Sequence, residues 1–302
     1  MRTFSKIETY VGGGPVVVSI GNFDGLHRGH QYLLQTNMDL ATKKGARSLV
    51  LSFNPHPMQV LKPLEFSPLS DRQDQEQQLE QIGIDDWIIE PFSDRVKGEA
   101  PESFIDRLLA VMPLAAIVVG PDFHFGKDRQ GDVNFLRQMG QKHHFEVVIP
   151  EAYLYHGQRV SSTKIRQLLR RGEVEVVADW LGRFFSIRGT VESGFHRGQK
   201  IGFPTANIVT PSAKNLRQGV YGTFVYVRGE RWRGATNVGL HPTFGEDTEI
   251  KVETHILDFN ENLYGEEIRV EFLRFLRPEM KFGSVEALIT QIKKDIELVR
   301  TT

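Results

Sequence analysis

The sequence predicts an α/β domain with a parallel sheet and helices on both faces, followed by a smaller antiparallel β barrel or sandwich that ends in a helix. Three observations predict it. Up to about residue 182, short apolar runs alternate with segments of helical periodicity, the pattern of a parallel sheet. Beyond that point, short stretches with period-two alternation are separated by glycine-containing turns. The chain has 302 residues, and at roughly 150 residues per domain that length implies two cores.

Each element follows from its local pattern. PVVVSI (15–20) is a valine-rich strand ended by Gly21, and from His27 onward His30, Leu33, Leu34, Asn37, Met38 and Ala41 share one helical face. RSLVLSF (47–53) reads as a second buried strand, followed by a proline-rich loop and a polar helix near 70–82. DWIIE (86–90), a helix from about Pro101, LAAIVVG (114–120), FEVVIP (145–150) and a helix beginning near Ser162 complete the alternation. In such sheets ligands bind beyond the carboxyl ends of strands, which points to the loops after Ile20, Phe53 and Gly120. From Phe184 to Phe275 the stretches FSIRGTV, GVYGTFVYV, RWRGATNV, IKVETHIL and IRVEF predict antiparallel strands. Val285, Leu288, Ile289, Ile292, Ile296 and Val299 then follow helical spacing after Ser284, a natural N-cap. The domain boundary is expected within 178–186, giving domains 1–182 and 183–302.

Composition excludes several classes. With 37 basic against 38 acidic residues, there is no general electrostatic footprint for nucleic acid. The absence of cysteine excludes disulfides, thiolate zinc sites, iron–sulfur clusters and a cysteine nucleophile, and fits a cytoplasmic protein. The start, MRTFSKIETYVGGG, lacks an apolar core of signal-peptide length. The longest uncharged apolar stretch, Leu108 to Pro121, is interrupted by Pro113 and falls short of the roughly 20 residues of a membrane-spanning helix. Neither a membrane nor an obligate protein partner is expected.

A first constellation lies at a strand-to-helix turn: Gly21, Phe23, Asp24, Gly25, His27, Gly29 and His30 in GNFDGLHRGH. The glycines allow close backbone approach, a helix N-terminus attracts phosphate, and histidines three apart project to one side. Two histidines alone fit equally well a glycine turn with one capping and one core histidine. The second piece is SSTKIR (161–166), with Ser162 as N-cap and Gly172 ending the helix. Lys164 and Arg166 oppose the helix dipole in its first two turns, which makes sense if an anion is held there.

Together GNFDGLHRGH and SSTKIR resemble the nucleotidylyltransferase half of the prokaryotic bifunctional riboflavin kinase/FAD synthetases, a Rossmann-like domain. FNPHP (53–57) and GPDFHFG (120–126), which runs into a flexible 127–132 loop, match the same half. The resemblance implies that His27, His30, Ser161, Ser162, Thr163 and Arg166 act on ATP phosphates during adenylyl transfer. It also places Asn54, Pro55, His56, Asp122 and Phe123 near the flavin. Arginine is common in that family where His124 stands here.

A second constellation lies in the β half. Gly194, Gly198, Lys200 and Gly202 belong to a glycine-rich segment leading into Pro204-Thr205-Ala206-Asn207. Glycine-rich flaps lay backbone N–H groups on phosphates, and the oxygens of Thr205 and Asn207, two apart on an extended chain, suit Mg²⁺. Spacing alone favours a glycine-rich hairpin with a Pro-Thr bend. In KVETHIL, period two puts Glu253 and His255 on the face opposite Val252, Thr254 and Ile256. By position alone Glu253 is a solvated strand residue. As chemistry, a carboxylate can accept a proton from a hydroxyl attacking phosphorus.

GFPTAN, GVYG (219–222), TNVGLHPTFG (236–245), VETHILDF (252–259) and LYG (263–265) resemble the riboflavin kinase module of the same family. The resemblance implies a six-stranded barrel with Thr205 and Asn207 beside Mg-ATP, Gly194, Gly198, Gly202 and Pro204 around the phosphates, and Glu253 as base. Lys200 stands where arginine is frequent. The implied chemistry uses ATP and riboflavin to give FMN, then ATP and FMN to give FAD, with flavins as substrates and products. The alternatives are a chain with one active site, or a non-catalytic flavin or nucleotide sensor.

Overall fold

A computed structural model describes residues 1–192, 198, 201–242 and 248–301. The chain forms two compact units, Met1–Phe66 with Arg72–Val160, and Ser67–Asp71 with Ser161–Thr302.

The first unit contains β1 (Arg2–Phe4), β2 (Val16–Ile20), α1 (Arg28–Lys44), β3 (Arg47–Asn54), α2 (Pro57–Leu61), α3 (Arg72–Ile82), β4 (Asp86–Pro91), α4 (Asp94–Lys97), α5 (Pro101–Val111), β5 (Leu114–Val118), α6 (Val133–His143), β6 (Glu146–Val148) and the small pair β7 (Leu154–Tyr155) and β8 (Gln158–Arg159). Strands β1 to β6 form one parallel sheet in the order β1-β4-β3-β2-β5-β6. Its strands read as continuous apolar runs because both faces are covered. Val18, Leu51 and Ile117 face a core that includes Phe104 and Leu108 of α5 and Leu136 of α6. Their neighbours Val50 and Trp87 pack with Leu34 of α1 and Leu79 of α3, and Val17 and Val118 pack with Ala41 of α1.

The edge strand β1 carries no apolar run and was not legible from sequence. It is held by Asp86, whose carboxylate is fully buried at the start of β4. Arg2 and Arg47 each donate two hydrogen bonds to it at 2.7–2.9 Å, and the Tyr10 hydroxyl donates a fifth. Burial alone would raise the pKa of Asp86; the bonds from Arg2, Arg47 and Tyr10 outweigh it and hold the carboxyl at about 2.

The second unit contains α7 (Ser162–Arg171), α8 (Val174–Leu181), β9 (Phe185–Thr190), β10 (Ala206–Val209), β11 (Gly219–Val227), β12 (Glu230–Pro242), β13 (Thr248–Ile256), β14 (Glu267–Arg277) and α9 (Val285–Thr301). One antiparallel sheet runs in the order β10-β13-β12-β11-β14-β9. Its two edges approach closure. The Glu192 N–H donates to the Asn207 carbonyl at 2.9 Å, and a Cβ on Gly189 would lie 3.1 Å from that of Ile208. This resolves the barrel-or-sandwich choice as a nearly closed barrel. Its interior carries Ile187, Tyr221, Val238, Val252 and Phe272 together with a hydrogen-bonded file of buried threonine hydroxyls, Thr223–Thr236–Thr254, at 2.8 and 3.0 Å.

The unit boundary at 160/161 differs from the expected 182/183, because α7 and α8 pack with the barrel. The Arg217 N–H donates to the Leu169 carbonyl at 3.0 Å, α8 lies on β9 and β14, and the left-handed Gly172 ending α7 lies against Phe275. Among the described residues, no helix is long and apolar enough to cross a membrane.

Candidate active sites

The turn after β2 is built by its own sequence. Phe23, Gly25 and Leu26 all have positive φ, which folds the chain sharply before α1. His27 is the N-cap, with Nδ1 accepting the His30 N–H at 3.2 Å. Accepting at Nδ1 leaves the proton of a neutral His27 on Nε2. The two imidazoles stack, with centroids 3.7 Å apart and planes within 13°. A Cβ on Gly29 would meet the His27 ring at 3.2 Å, so the glycine makes room for the stack. The HxGH spacing is therefore a packing requirement as well as a chemical one. Burial, with His27 alongside, holds the pKa of His30 well below its ordinary value, leaving a neutral imidazole. His27 caps the helix, and His30 is the neutral partner stacked on it.

Sequence reasoning missed Asn22 in this turn. Its Oδ1 and the Nδ1 of His30 are buried and without a hydrogen-bond partner among the described residues. Asp24 is buried as well. The signal for Asn22 was only its place between Gly21 and Phe23.

The segments matched to flavin contacts are more mixed. Asn54 and Pro55 are exposed at the carboxyl end of β3, joined by a cis peptide. His56 caps α2 by accepting the Met58 N–H at 3.0 Å and stacks on Phe66 at 4.2 Å. Asp122 is exposed and paired with Arg159, whereas Phe123 stacks on Phe125 at 5.3 Å against the apolar core. His124 Nδ1 lies 2.9 Å from the Asp122 carbonyl and 3.2 Å from the Arg129 guanidinium. The following loop, expected to be flexible, is a closed turn: Phe125 and Gly131 exchange backbone hydrogen bonds at 2.9 and 3.0 Å around a short 3-10 segment.

In the second unit, the cap of α7 is Ser161 rather than Ser162: its Oγ accepts the Lys164 N–H at 3.4 Å, and Ser162 is the first helical residue. The difference is one residue at a Ser-Ser pair, where either hydroxyl can cap by sequence. Thr163 and Lys164 are exposed. Arg166 donates from Nε to the Ser67 carbonyl at 2.9 Å, a structural use for this cation that the dipole argument did not foresee.

The barrel brings the other constellation together through strand register. Asn207 of β10 pairs with Glu253 of β13, and Glu253 pairs on its other side with Asn237 of β12. Thr205 lies where two clefts meet. One, of about 430 Å³, is lined by Thr205, Thr254 and the 259–264 segment; the other, of about 500 Å³, by Thr205, Glu253, His255, Asn237 and apolar residues of the C-terminal part, among them Phe282, Leu288 and Ile292. Asn207 is 8% exposed, and its Oδ1 has no partner among the described residues. A Cβ on Gly198 would lie 2.2 Å from the Phe203 carbonyl oxygen, so that position requires glycine. Pro204 and Gly202 are exposed, Gly202 with φ of +87°. Gly194 and Lys200 lie outside the described residues. The sequence carried no signal for the 259–264 wall beyond the LYG match, nor for the threonine file.

Comparison with known proteins agrees with both halves. Residues 13–164 match the FAD synthetase family model, and residues 181–302 match the riboflavin kinase model. A bifunctional riboflavin kinase/FMN adenylyltransferase from Listeria monocytogenes is 35% identical over 92% of this chain and 90% of its own length. The protein of the same name from Pseudomonas fluorescens is also 35% identical, covering 94% of this chain and 92% of itself. A solved structure described as a macrolide-efflux protein from Streptococcus pneumoniae superposes with a TM-score of 0.88 at 30% identity, covering 99% of this chain and 98% of that one. With both halves matched in order and relatives aligned nearly end to end, the chain belongs to the bifunctional riboflavin kinase/FMN adenylyltransferase family.

Proposed function

We propose that this chain makes FMN from riboflavin and ATP in its barrel, and FAD from FMN and a second ATP in its α/β part. The functional division falls near 182/183, the adenylyltransferase part before it and the kinase part after. The observation that carries the reading is the pairing of Glu253 with Asn207 across β10 and β13, with Thr205 at the junction of two clefts.

In the kinase step, Glu253 accepts the proton of the ribityl 5′-hydroxyl as its oxygen attacks the γ-phosphorus of ATP, and ADP leaves. The buried Asn207 Oδ1, without a partner among the described residues, and the hydroxyl of Thr205 two positions earlier make an oxygen donor set that fits Mg²⁺. When bound, the metal neutralises phosphate charge. Gly198, Gly202 and Pro204 shape the flap above the phosphates, with Gly194 and Lys200 in the same segment.

In the adenylyl step, the FMN phosphate attacks the α-phosphorus of ATP, and pyrophosphate leaves. His27 and the neutral His30 donate N–H groups to phosphate oxygens as charge develops, and the glycine turn admits the backbone close to them. Ser161, Ser162, Thr163 and Arg166 hold phosphate, and Asn54, Pro55, His56, Asp122 and Phe123 lie beside the flavin. Phe123 is half-buried, one side packed on the apolar core.

Riboflavin incubated with Mg-ATP and the full chain, followed by chromatography, should give FMN first and FAD after it. FMN alone would reduce the reading to a single active site. Flavin binding without ATP consumption would replace it with a sensor.

A further inference from the structure

We infer that His255 is a positioning residue of the kinase site: its imidazole holds the Pro204–Thr205 bend against β13 and so fixes where Thr205 presents its hydroxyl. The inference rests on reading the barrel as a riboflavin kinase. The ladder between β10 and β13 joins four residue pairs. Asn207 pairs with Glu253 and Ala206 with Thr254, and there the pairing stops. Continued in register, Thr205 would face His255 and Pro204 would face Ile256. Proline has no N–H to offer a ladder.

The His255 side chain takes over where the backbone pairing ends. Its Nδ1 lies 2.8 Å from the Pro204 carbonyl oxygen. A carbonyl only accepts, so Nδ1 carries the proton in both charge states of the ring. The Phe203 ring meets the imidazole edge-on at 5.5 Å, and the Phe203 N–H donates to the Gly198 carbonyl at 2.8 Å. One side chain thus touches the residues on which the glycine segment and Thr205 both depend. It projects from the strand that carries Glu253, two residues away, and lines the same cleft. An ordinary strand histidine capping an exposed carbonyl would show the same bond, but its loss would leave ATP use unchanged.

The test measures riboflavin phosphorylation in the full chain, varying Mg-ATP at saturating riboflavin, for His255→Asn, His255→Gln and His255→Phe. Asparagine keeps an N–H donor at the position of Nδ1, glutamine moves it one atom outward, and phenylalanine keeps the ring without a donor. The expected result is a rise of about tenfold in the Mg-ATP KM for the Gln and Phe variants, the cost of one hydrogen bond. Their kcat stays within about threefold, and the Asn variant is restored toward the unmodified protein. FMN adenylylation, measured on the same samples, stays unchanged and reports that the chain is folded. If the Phe variant fails to fold, the contrast between Asn and Gln decides. Equal KM in all variants, a loss confined to kcat, or an Asn variant as impaired as Gln would overturn the inference. Failure of the unmodified chain to phosphorylate riboflavin would instead overturn the kinase reading.

Discussion

The HxGH turn and the Thr205–Glu253 site are assembled by opposite means. In the α/β unit, residues 21–30 form a self-contained turn in which His27 caps, Gly29 makes space and His30 stacks within one helical turn. In the barrel, Asn207 meets Glu253 across some fifty residues of chain through strand register, and Thr205 lines the same cleft as Glu253. Register matters because side chains alternate: a slip of one residue would turn Glu253 away from the cleft and bring Thr254 out of the core. A local site survives as long as its turn does; a registered site depends on the whole ladder.

Substitutions can break this comparison. The largest effect is expected for Glu253→Gln, which should lower riboflavin phosphorylation by about 10³-fold while FMN adenylylation persists. His30→Ala should reverse the pattern, costing about 10²-fold in adenylylation so that FMN accumulates in a riboflavin assay. Loss of both activities in either variant, with melting temperature intact, would mean that the sites are not separate. His30 also permits a pH check. With its pKa held well below the ordinary 6.5, it takes up a proton only at lower pH. Its imidazole resonances should therefore stay unmoved as pH falls from 8 to 6.5.

Two smaller effects concern scaffolding. Asp86→Asn, at the end of the sheet opposite the HxGH turn, should cost about 2–3 kcal/mol in denaturant unfolding, since it leaves Arg2 and Arg47 without their shared carboxylate. Because the folded pKa of Asp86 is depressed from 3.8 to about 2, its stabilisation is complete above the unfolded value and fades as pH falls through the folded one. The Asn variant should lose less stability across that acid window. Ser161→Ala should cost about 1 kcal/mol as the loss of the α7 cap, whereas Ser162→Ala should cost less.

Legibility followed the same local-versus-distant line. Strands such as Val16–Ile20 and Arg47–Asn54 were readable because two-sided burial writes an unbroken apolar run. Strand β1 was not, because its hold on the sheet is an ion-pair cluster around a residue some eighty positions away. The HxGH residues could be picked out in sequence, but the neutrality of His30 follows from burial, which sequence does not display. Arg166 stood out in sequence as a candidate anion ligand, and its additional bond to Ser67 became visible only once distant segments were packed.

By itself, the sequence determined the two fold classes, their order and the candidate polar residues of both sites, because periodicity and short motifs are properties of neighbours. Tertiary structure decided what neighbours cannot. It nearly closed the β half into a barrel and packed α7 and α8 with it, and it paired Asn207 with Glu253 beside two clefts that share Thr205. The physical reason is that hydrogen-bond register and burial are set by partners far along the chain, and each becomes definite only when those partners meet.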